Sequence, residues 1–334
     1  MPAITRANRL RSLLLVAVTL VPIVSAWGAC PDNLCDCLGA AGTFSVLASG
    51  RMKAKTSKVS VSGSPYQVPM EILGDACMTL GQFGGDSDVP AETGLLAFLF
   101  AGPGPAVKFQ AKKFYGVLEP GVYVHGDVAT AGGTILGLAA TIIDGTPDTT
   151  GSHPSVGRCQ QGAAAVGSAS AALAALTPTV TLGKLIVKGG SGTPYVITAG
   201  PGVTVATAER ITVKAARVDG YPDGSEIDIE TDSATQAFII NTPKLAVGKL
   251  STITATDPTK VIINVTGPGG RVAIDNNASI DVAVVAKDRK ITVGANATTG
   301  NLYGKDVQVK GGSVAPTLYC SPSGAFVDRD TAAP

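Results

Sequence analysis

The sequence predicts an all-β fold in which short strands coil into a solenoid, with one long α-helix packed alongside. Three observations lead to this prediction: short apolar strands along the whole chain, a repeating step between them near the C-terminus, and one Ala-rich segment with helical spacing. Gly (41) and Pro (21) make up 62 of 334 residues, so interruptions between elements are frequent.

The predicted strands are three to five residues long, rich in Val, Ile and Thr, and separated by Gly, Pro, Asn and Asp. This spacing excludes a doubly wound α/β fold, because such a fold places helices of about 10–15 residues between its strands. The strand candidates are Phe44–Leu47, Val59–Val61, Val122–Val124, Leu185–Val187, Ile211–Val213, Ile227–Ile229, Phe238–Ile240, Val261–Val265, Val282–Val285, Ile291–Val293 and Val307–Val309.

A repeating step near the C-terminus favours a coil over a β-sandwich, which is the alternative. Ile291 and Val307 are 16 positions apart, and Val284 and Leu302 are 18 apart. Two interleaved series with similar steps are typical of a solenoid whose turns each carry about three strands. Gly or Asn is expected at the corners, where left-handed backbone is needed; the candidates are Gly294, Gly300, Gly304 and Gly311.

The helix is predicted at 153–176. Its narrow apolar stripe consists of residues three or four positions apart: Val156, Cys159, Ala163, Val166, Ser170, Leu173 and Leu176. Ser152 is the expected N-cap, Pro154 suits the first turn, and Pro178 ends the helix. A disulfide at Cys159, on the inner stripe, would tie the helix to the strands.

The N-terminus has the pattern of a secretory signal peptide at 1–26. Arg6, Arg9 and Arg11 precede an apolar run, Ser12–Ile23, which is shorter than the roughly 20 residues of a membrane span. Val24-Ser25-Ala26 fits the cleavage site, so the mature chain is expected to begin at Trp27 as one β-solenoid domain, 27–327, with a polar tail at 328–334. Lipoprotein processing at Cys30 is the alternative.

Six cysteines in an exported chain indicate disulfides rather than metal ligands. The Cys30-x4-Cys35-x-Cys37 spacing matches no common zinc motif. The sequence allows 15 pairings of the six and does not choose among them. The expected disulfide cysteines are Cys30, Cys35, Cys37, Cys77, Cys159 and Cys320.

Two family resemblances follow from these features. The solenoid, the single Ala-rich helix and the Gly-punctuated stretch Ala283–Lys310 resemble the ice-binding-protein-like family, which implies a right-handed parallel β-helix with one helix alongside. The chain is also similar to the choice-of-anchor A family of bacterial surface proteins. That resemblance rests on Leu38-Gly39, Phe44–Leu47, Gly74-Asp75, Gly126-Asp127 and Val261–Gly267.

Two individual segments contain residues that could bind ice or calcium. Thr252, Thr254 and Thr256 lie on one side of a strand, but ice binding needs such rows on successive turns, and none is expected on the neighbouring ones. Calcium needs several oxygen ligands that converge on one point. The weak metal candidates are Asp219, Asp223, Glu226 and Asp228; no other cofactor is expected.

The predicted function is therefore that of an exported, non-catalytic structural, surface or adhesive protein, extracellular or at the cell surface, with the periplasm as an alternative. An ice-binding protein and a polysaccharide-active β-helix enzyme are the alternative functions. His125 and His153 show no catalytic partner pattern, and aromatics make up only 5%. The expected partner is a surface or matrix polymer such as a polysaccharide. Nucleic acid is not expected, because the net charge of +1 is near zero.

Overall fold

The computed structural model describes residues 34–55, 57–61, 64–68, 71–84, 94–95, 105–110, 112–114, 117–119, 122–124, 127–138, 141–143, 145–189, 193–218, 221–318 and 320. The predicted signal peptide, Trp27, Cys30 and the polar tail lie outside these residues. In the described part, no helix is long and apolar enough to cross a membrane.

The described residues contain two helices, α1 (Leu34–Leu38) and α2 (Pro154–Ala175), and 3-10 turns at Gly39–Thr43 and Pro258–Lys260. The strands before α2 are β1 (Val46–Lys55), β2 (Ser57–Val61), β3 (Ser64–Val68), β4 (Glu71–Ile72), β5 (Ala76–Gly84), β6 (Gly94–Leu95), β7 (Pro105–Gln110), β8 (Lys112–Phe114), β9 (Val117–Glu119), β10 (Val122–Val124), β11 (Val128–Ala129), β12 (Thr134–Leu136), β13 (Thr141–Ile143) and β14 (Pro147–Asp148).

After α2 the chain is again formed of strands. They are β15 (Val180–Lys188), β16 (Tyr195–Thr198), β17 (Gly202–Lys214), β18 (Ala216–Val218), β19 (Tyr221–Asp223), β20 (Glu226–Glu230), β21 (Thr235–Thr242), β22 (Leu245–Val247), β23 (Thr252–Ala255), β24 (Val261–Val265), β25 (Val272–Ile274), β26 (Ser279–Ile280), β27 (Ala283–Val293), β28 (Thr298–Thr299), β29 (Leu302–Lys310) and β30 (Ser313–Val314).

The strands stack into two large parallel sheets, of 12 and 10 strands, which confirms the predicted β-helix. The repeating step of 16 to 18 residues predicted from the sequence is the length of one coil, because Ile291 pairs with Val307 and Val284 pairs with Leu302. Three antiparallel hairpins, β2–β3, β8–β9 and β18–β19, branch from the coils.

Each coil contributes to three faces. The long strands of the 12-stranded sheet are broken in register near their middle, as between Ala48 and Met52, and so supply a first segment to face A and a second to face B. Strands β4, β6, β10, β13, β16, β20, β23, β26, β28 and β30 form face C, the 10-stranded sheet. The side chains that point inward from the three faces form one buried aliphatic core.

The coils do not stack in chain order. Strand β1 lies between β5 and β29, so the chain starts inside the stack and winds outward through β5, β7 and β12. It then passes along α2 to β15 at the opposite end and winds back until β29 pairs with β1. Helix α2 has 22 residues and is therefore about 33 Å long, or about seven strand spacings.

Helix α2 packs against the outer side of face A. Val166 and Leu173 lie in a second buried cluster with Leu47, Ile262 and Tyr303 from face A strands. Gly162 permits this close approach, because a Cβ there would lie 2.9 Å from Phe44 Cε2 and 3.0 Å from Leu47 Cδ1. The predicted inner stripe is confirmed, with Val156, Cys159, Val166, Ser170 and Leu173 buried.

Polar groups also join the helix to face A. Asn241 and Asn264 are neighbours across β21 and β24, and both are buried. Asn241 Nδ2 donates to the Leu173 carbonyl oxygen at 2.8 Å, and Asn264 Nδ2 donates to the Ser170 carbonyl oxygen at 3.0 Å. These hydrogen bonds fix the position of α2 along the stacked strands of face A.

Two local predictions were wrong. The N-cap of α2 is His153, whose Nδ1 accepts from the Ser155 N–H at 3.2 Å; the Ser152 hydroxyl instead lies 2.6 Å from Thr150 Oγ1. Among the four corner glycines, only Gly311 has a positive φ, of 62°. The other three, Gly294, Gly300 and Gly304, are positions of close chain approach, where a Cβ would lie within 3.1 Å of a neighbouring coil.

Candidate functional site

A row of hydroxyl side chains runs across four adjacent strands of face C. Thr252 pairs with Ser279, Ser279 with Thr298, and Thr298 with Ser313. We call these four residues the hydroxyl ladder. Neighbouring strands are about 4.8 Å apart, so the ladder has that period and spans about 14 Å.

The backbone beneath the ladder is held by a buried inner row. The residue that follows each ladder position points into the core and is at most 1% exposed: Ile253, Ile280, Thr299 and Val314. Thr298 is exposed, and the other ladder side chains are half-buried by their neighbours in the row. The strands are therefore firmly placed while their hydroxyl groups stay at the surface.

The corner before the ladder repeats one backbone conformation in four coils. Leu250, Asn277, Asn296 and Gly311 each stand two positions before a ladder residue, and their φ angles are 58°, 56°, 55° and 62°. Gly and Asn adopt this left-handed conformation readily, whereas Leu does so at a cost. The repeated turn brings each chain segment into face C at the same height, which keeps the ladder straight.

As expected, the neighbouring coils do not repeat the three threonines; only the first position of that row continues, as Ser279, Thr298 and Ser313. Thr252 and Thr254 do lie on the outer side of β23, since Ile253 between them is buried, and Thr256 follows the last residue of that strand. On the next coils, however, β26, β28 and β30 have only two residues each. A strand of two residues is too short to show alternating polar and apolar side chains in the sequence. The row of hydroxyl groups is therefore seen only when the strand pairing is known.

An acidic residue is paired with each end of the ladder. Glu226 pairs with Thr252 at one end of the row, and Glu71 pairs with Ser313 at the other. Beside the row, burial raises the pKa of Asp281 to about 6; a backbone N–H bond opposes this shift, and the charge of Asp228 adds to it. Asp281 Oδ2 accepts from the Ala255 N–H at 3.3 Å.

The weak metal candidates fall in two places. Glu226 and Asp228 stand on the outer side of β20, and Asp223 and Glu226 line a groove of about 310 Å³ at the corner of faces B and C. The fourth, Asp219, lies outside the described residues. Within the described ranges, no group of three His, Cys, Asp or Glu side chains could hold a metal ion. The calcium site stays a prediction.

His153 has a structural role. Besides capping α2 through Nδ1, it places Nε2 at 3.3 Å from Asp127 Oδ2. Both ring nitrogens thus serve to attach the helix N-terminus to the preceding coil. His125 lies outside the described residues.

The cysteines form disulfides, as predicted. Cys77 on β5 bonds Cys159 on α2, so the expected link between helix and strands is confirmed. Cys35 on α1 bonds Cys320 across a sequence separation of 285. Cys37 is disulfide-bonded as well, and no described cysteine is free. Cys30 lies outside the described residues.

Comparison with known proteins gives structural neighbours only. No family model and no curated protein matches the sequence. An ice-binding protein from the Antarctic ascomycete Antarctomyces psychrotrophicus is similar in structure, with 14% identity, a TM-score of 0.45, and 85% of this chain and 98% of that chain covered.

Two further solved structures are similar at the same level. An ice-binding protein from an Arctic yeast has 15% identity and a TM-score of 0.43, with 85% and 95% of the two chains covered. The DUF3494 domain of a Shewanella frigidimarina ice-binding protein has 14% identity and a TM-score of 0.41, with 84% and 96% covered. Likenesses of this size carry no argument about what this chain binds. The resemblance to the choice-of-anchor A family stays a prediction.

Proposed function

We propose that this chain is an exported, non-catalytic protein that binds ice through the hydroxyl ladder. The observation that carries the proposal is the in-register row of Thr252, Ser279, Thr298 and Ser313. Hexagonal ice repeats along its a axis at a distance slightly shorter than the spacing of parallel strands. A straight row of surface hydroxyls at strand spacing can therefore meet successive water positions of the lattice.

The rigidity of the hydroxyl ladder also supports ice binding. Binding to a crystal gains little if side chains must first be ordered. The inner row of buried residues fixes the backbone, and the β-branched Thr252 and Thr298 have few χ1 choices. The proposal includes export through the signal peptide at 1–26. It also includes a right-handed coil, because nearly all parallel β crossovers are right-handed. A surface or matrix polymer as the main partner becomes the alternative.

The size of the ladder sets the expected strength. The strands that bring Glu226 and Glu71 into register with the row mark its two ends. A single row of about 14 Å offers a small contact. We therefore expect clear inhibition of ice recrystallisation but little thermal hysteresis.

The test uses two ladder variants and one matched control in a recrystallisation assay. Thr298→Lys places a long charged side chain in the middle of the row and should abolish inhibition. Ser279→Thr/Ser313→Thr makes all four positions β-branched and should strengthen inhibition. Gln161→Lys adds the same charge as Thr298→Lys on the exposed side of α2 and should behave as the parent protein.

Melting temperatures of all variants show whether each is folded. Inhibition that survives Thr298→Lys in a folded protein would refute the proposal. A parent protein without any effect on ice growth would also refute the proposal. It would favour the alternative, binding of a surface or matrix polymer.

A further inference from the structure

Face B carries nearly all of its charge as cations, on segments far apart in sequence. The segments are 51–55, 80–84, 105–110, 134–136, 184–188, 210–214, 245–247, 272–274, 290–293 and 306–310. Nine described cations on these segments alternate with buried side chains and so point outward: Arg51, Lys53, Lys55, Lys184, Lys188, Arg210, Lys214, Lys290 and Lys310. We call this set the basic face. Asp306 is the one acid on these segments, and Glu209, directly before 210 on the same strand, places Oε2 at 3.5 Å from Lys184 Nζ.

Strand pairing arranges most of these cations in two columns, while Lys53 stands between the columns, beside Gln308. Lys184 stands beside Arg210 in one column, and Lys188 beside Lys214 in the other. Lys55 stands beside Lys310 farther along. Like charges in directly paired positions destabilise a sheet, so the Lys188–Lys214 pair costs stability in the unbound protein, whereas Lys184 is ion-paired with Glu209. When a negatively charged polymer is bound, the same paired cations would stabilise the complex.

Between the two columns lies a row of smaller outward side chains. Thr212, Ala246, Ala273, Thr292 and Gln308 follow one another across adjacent strands. The hydroxyl oxygens of Thr212 and Thr292 are buried and have no hydrogen-bond partner among the described residues. Because these two oxygens are buried, the accessible polar side chain in this shallow track is the half-buried Gln308.

A groove lies in the middle of this track. It has a volume of about 240 Å³ and is lined by Arg51, Lys53, Lys290, Asp306, Val307 and Gln308. The Asp306 Oδ1 atom already accepts from the Arg51 backbone N–H at 2.8 Å. Within the described ranges, the Arg51, Lys53 and Lys290 side chains form no ion pair. Three cations against one carboxylate leave the groove electropositive.

Face C differs from face B in the sign of its charged residues. Its described strands contain no lysine or arginine, and they carry the acids Glu71, Glu226, Asp228 and Glu230. The near-zero net charge of the whole chain therefore conceals a strong separation of charge between two faces. The basic face is the part of the surface that would attract a polyanion.

We propose that face B binds an anionic polysaccharide, with its carboxylates on the two columns of cations and its sugar rings along the central row of small side chains. A flat track of regular period suits a straight polymer with regularly spaced charges. A single-stranded nucleic acid is less suited, because such ligands are held by stacking on aromatic side chains and none stands at a described outward position of face B. This site is separate from the hydroxyl ladder and does not depend on ice binding.

The test measures binding of a polyuronate, with neutral dextran and double-stranded DNA of similar length as comparison polymers. The parent protein should bind the polyuronate, ignore dextran, and lose affinity as salt rises. Lys53→Gln/Lys290→Gln removes two cations from the groove. It should weaken binding at least tenfold and reduce the slope of log affinity against log salt by about two.

The control changes net charge equally at another place. Gln160→Glu/Gln161→Glu lowers the charge by two on the exposed side of α2 and should leave polyuronate binding unchanged within twofold. Equal losses in both variants would show a general charge effect and overturn the proposal. Three other results would overturn it too: no polyuronate binding, tighter binding of DNA, or salt-sensitive self-association of the protein without polymer.

Discussion

The Asn301 side chain donates a hydrogen bond to the Phe44 carbonyl oxygen at 3.2 Å, across a sequence separation of 257. The same Nδ2 atom donates to the Leu318 carbonyl oxygen at 2.7 Å, while Oδ1 accepts from the Thr317 and Leu318 N–H groups. This buried amide joins the entry of the first coil to the exit of the last. The β-helix is therefore closed in its interior by residues from opposite ends of the chain.

The Cys35–Cys320 disulfide fastens this same junction, and its removal should be costly. In the chain-entropy model, a disulfide that closes a long loop contributes about 3–5 kcal/mol. Its loop of 285 residues is longer than the 82 of Cys77–Cys159, so Cys35→Ala/Cys320→Ala should cost about 1 kcal/mol more than Cys77→Ala/Cys159→Ala. Equilibrium unfolding in urea checks this; the reverse order would contradict it.

Leu173→Asp should destabilise the protein far more than Gln161→Asp. Leu173 is 0% exposed between α2 and face A, whereas Gln161 is on the outer side of the same helix. An unpaired buried charge costs several kcal/mol, which is a large part of a domain's stability. Thermal melting compares the two variants, and equal melting temperatures would show that the helix does not pack as described.

Leu250→Asn should stabilise the protein by roughly 1 kcal/mol. Leu250 has a φ of 58°, which is strained for leucine, and its side chain is 40% exposed, so little packing is lost. The reverse change, Asn277→Leu, places leucine at the equivalent corner of the next coil and should destabilise by a similar amount. A loss of stability in Leu250→Asn, measured by urea unfolding, would argue against the stacked left-handed corner.

Asp75→Asn should stabilise the protein at pH 8 and not at pH 3.5. Burial raises the pKa of Asp75 to about 6, although Arg158 lies 4.0 Å away and opposes the shift. Because the folded state holds this proton more tightly than the unfolded state, the free energy of unfolding falls as pH rises from about 4 to 6. The amide avoids that loss, roughly 1–3 kcal/mol. Melting temperatures at both pH values test this, and a gain at pH 3.5 would contradict it.

Much of the fold could be predicted because its signals are local. Ile291 and Val307 recur at the coil length since both must fill the same buried position, and the Ala-rich stripe around Val166 marks the inner side of the helix. The position of β1 between β5 and β29 could not be predicted in this way. It depends on pairing between residues more than 250 positions apart, and no local pattern records that pairing.

The hydroxyl ladder and the basic face could not be predicted from the sequence for a related reason. The hydroxyl ladder takes one residue from each of four strands, three of which are only two residues long. The basic face collects Arg51, Lys184 and Lys290 from coils that are distant in sequence. In both cases the pattern runs across the strands, whereas sequence periodicity reports only what runs along them.

The most direct measurement for the proposed function is the partition of the mature protein into a slowly grown ice crystal. An ice-binding chain is taken up by the crystal, whereas other soluble proteins are driven into the remaining liquid. We predict enrichment of the parent protein in the ice fraction and exclusion of the folded Thr298→Lys variant. A parent protein left in the liquid together with that variant would contradict the assignment of the hydroxyl ladder as an ice-binding site.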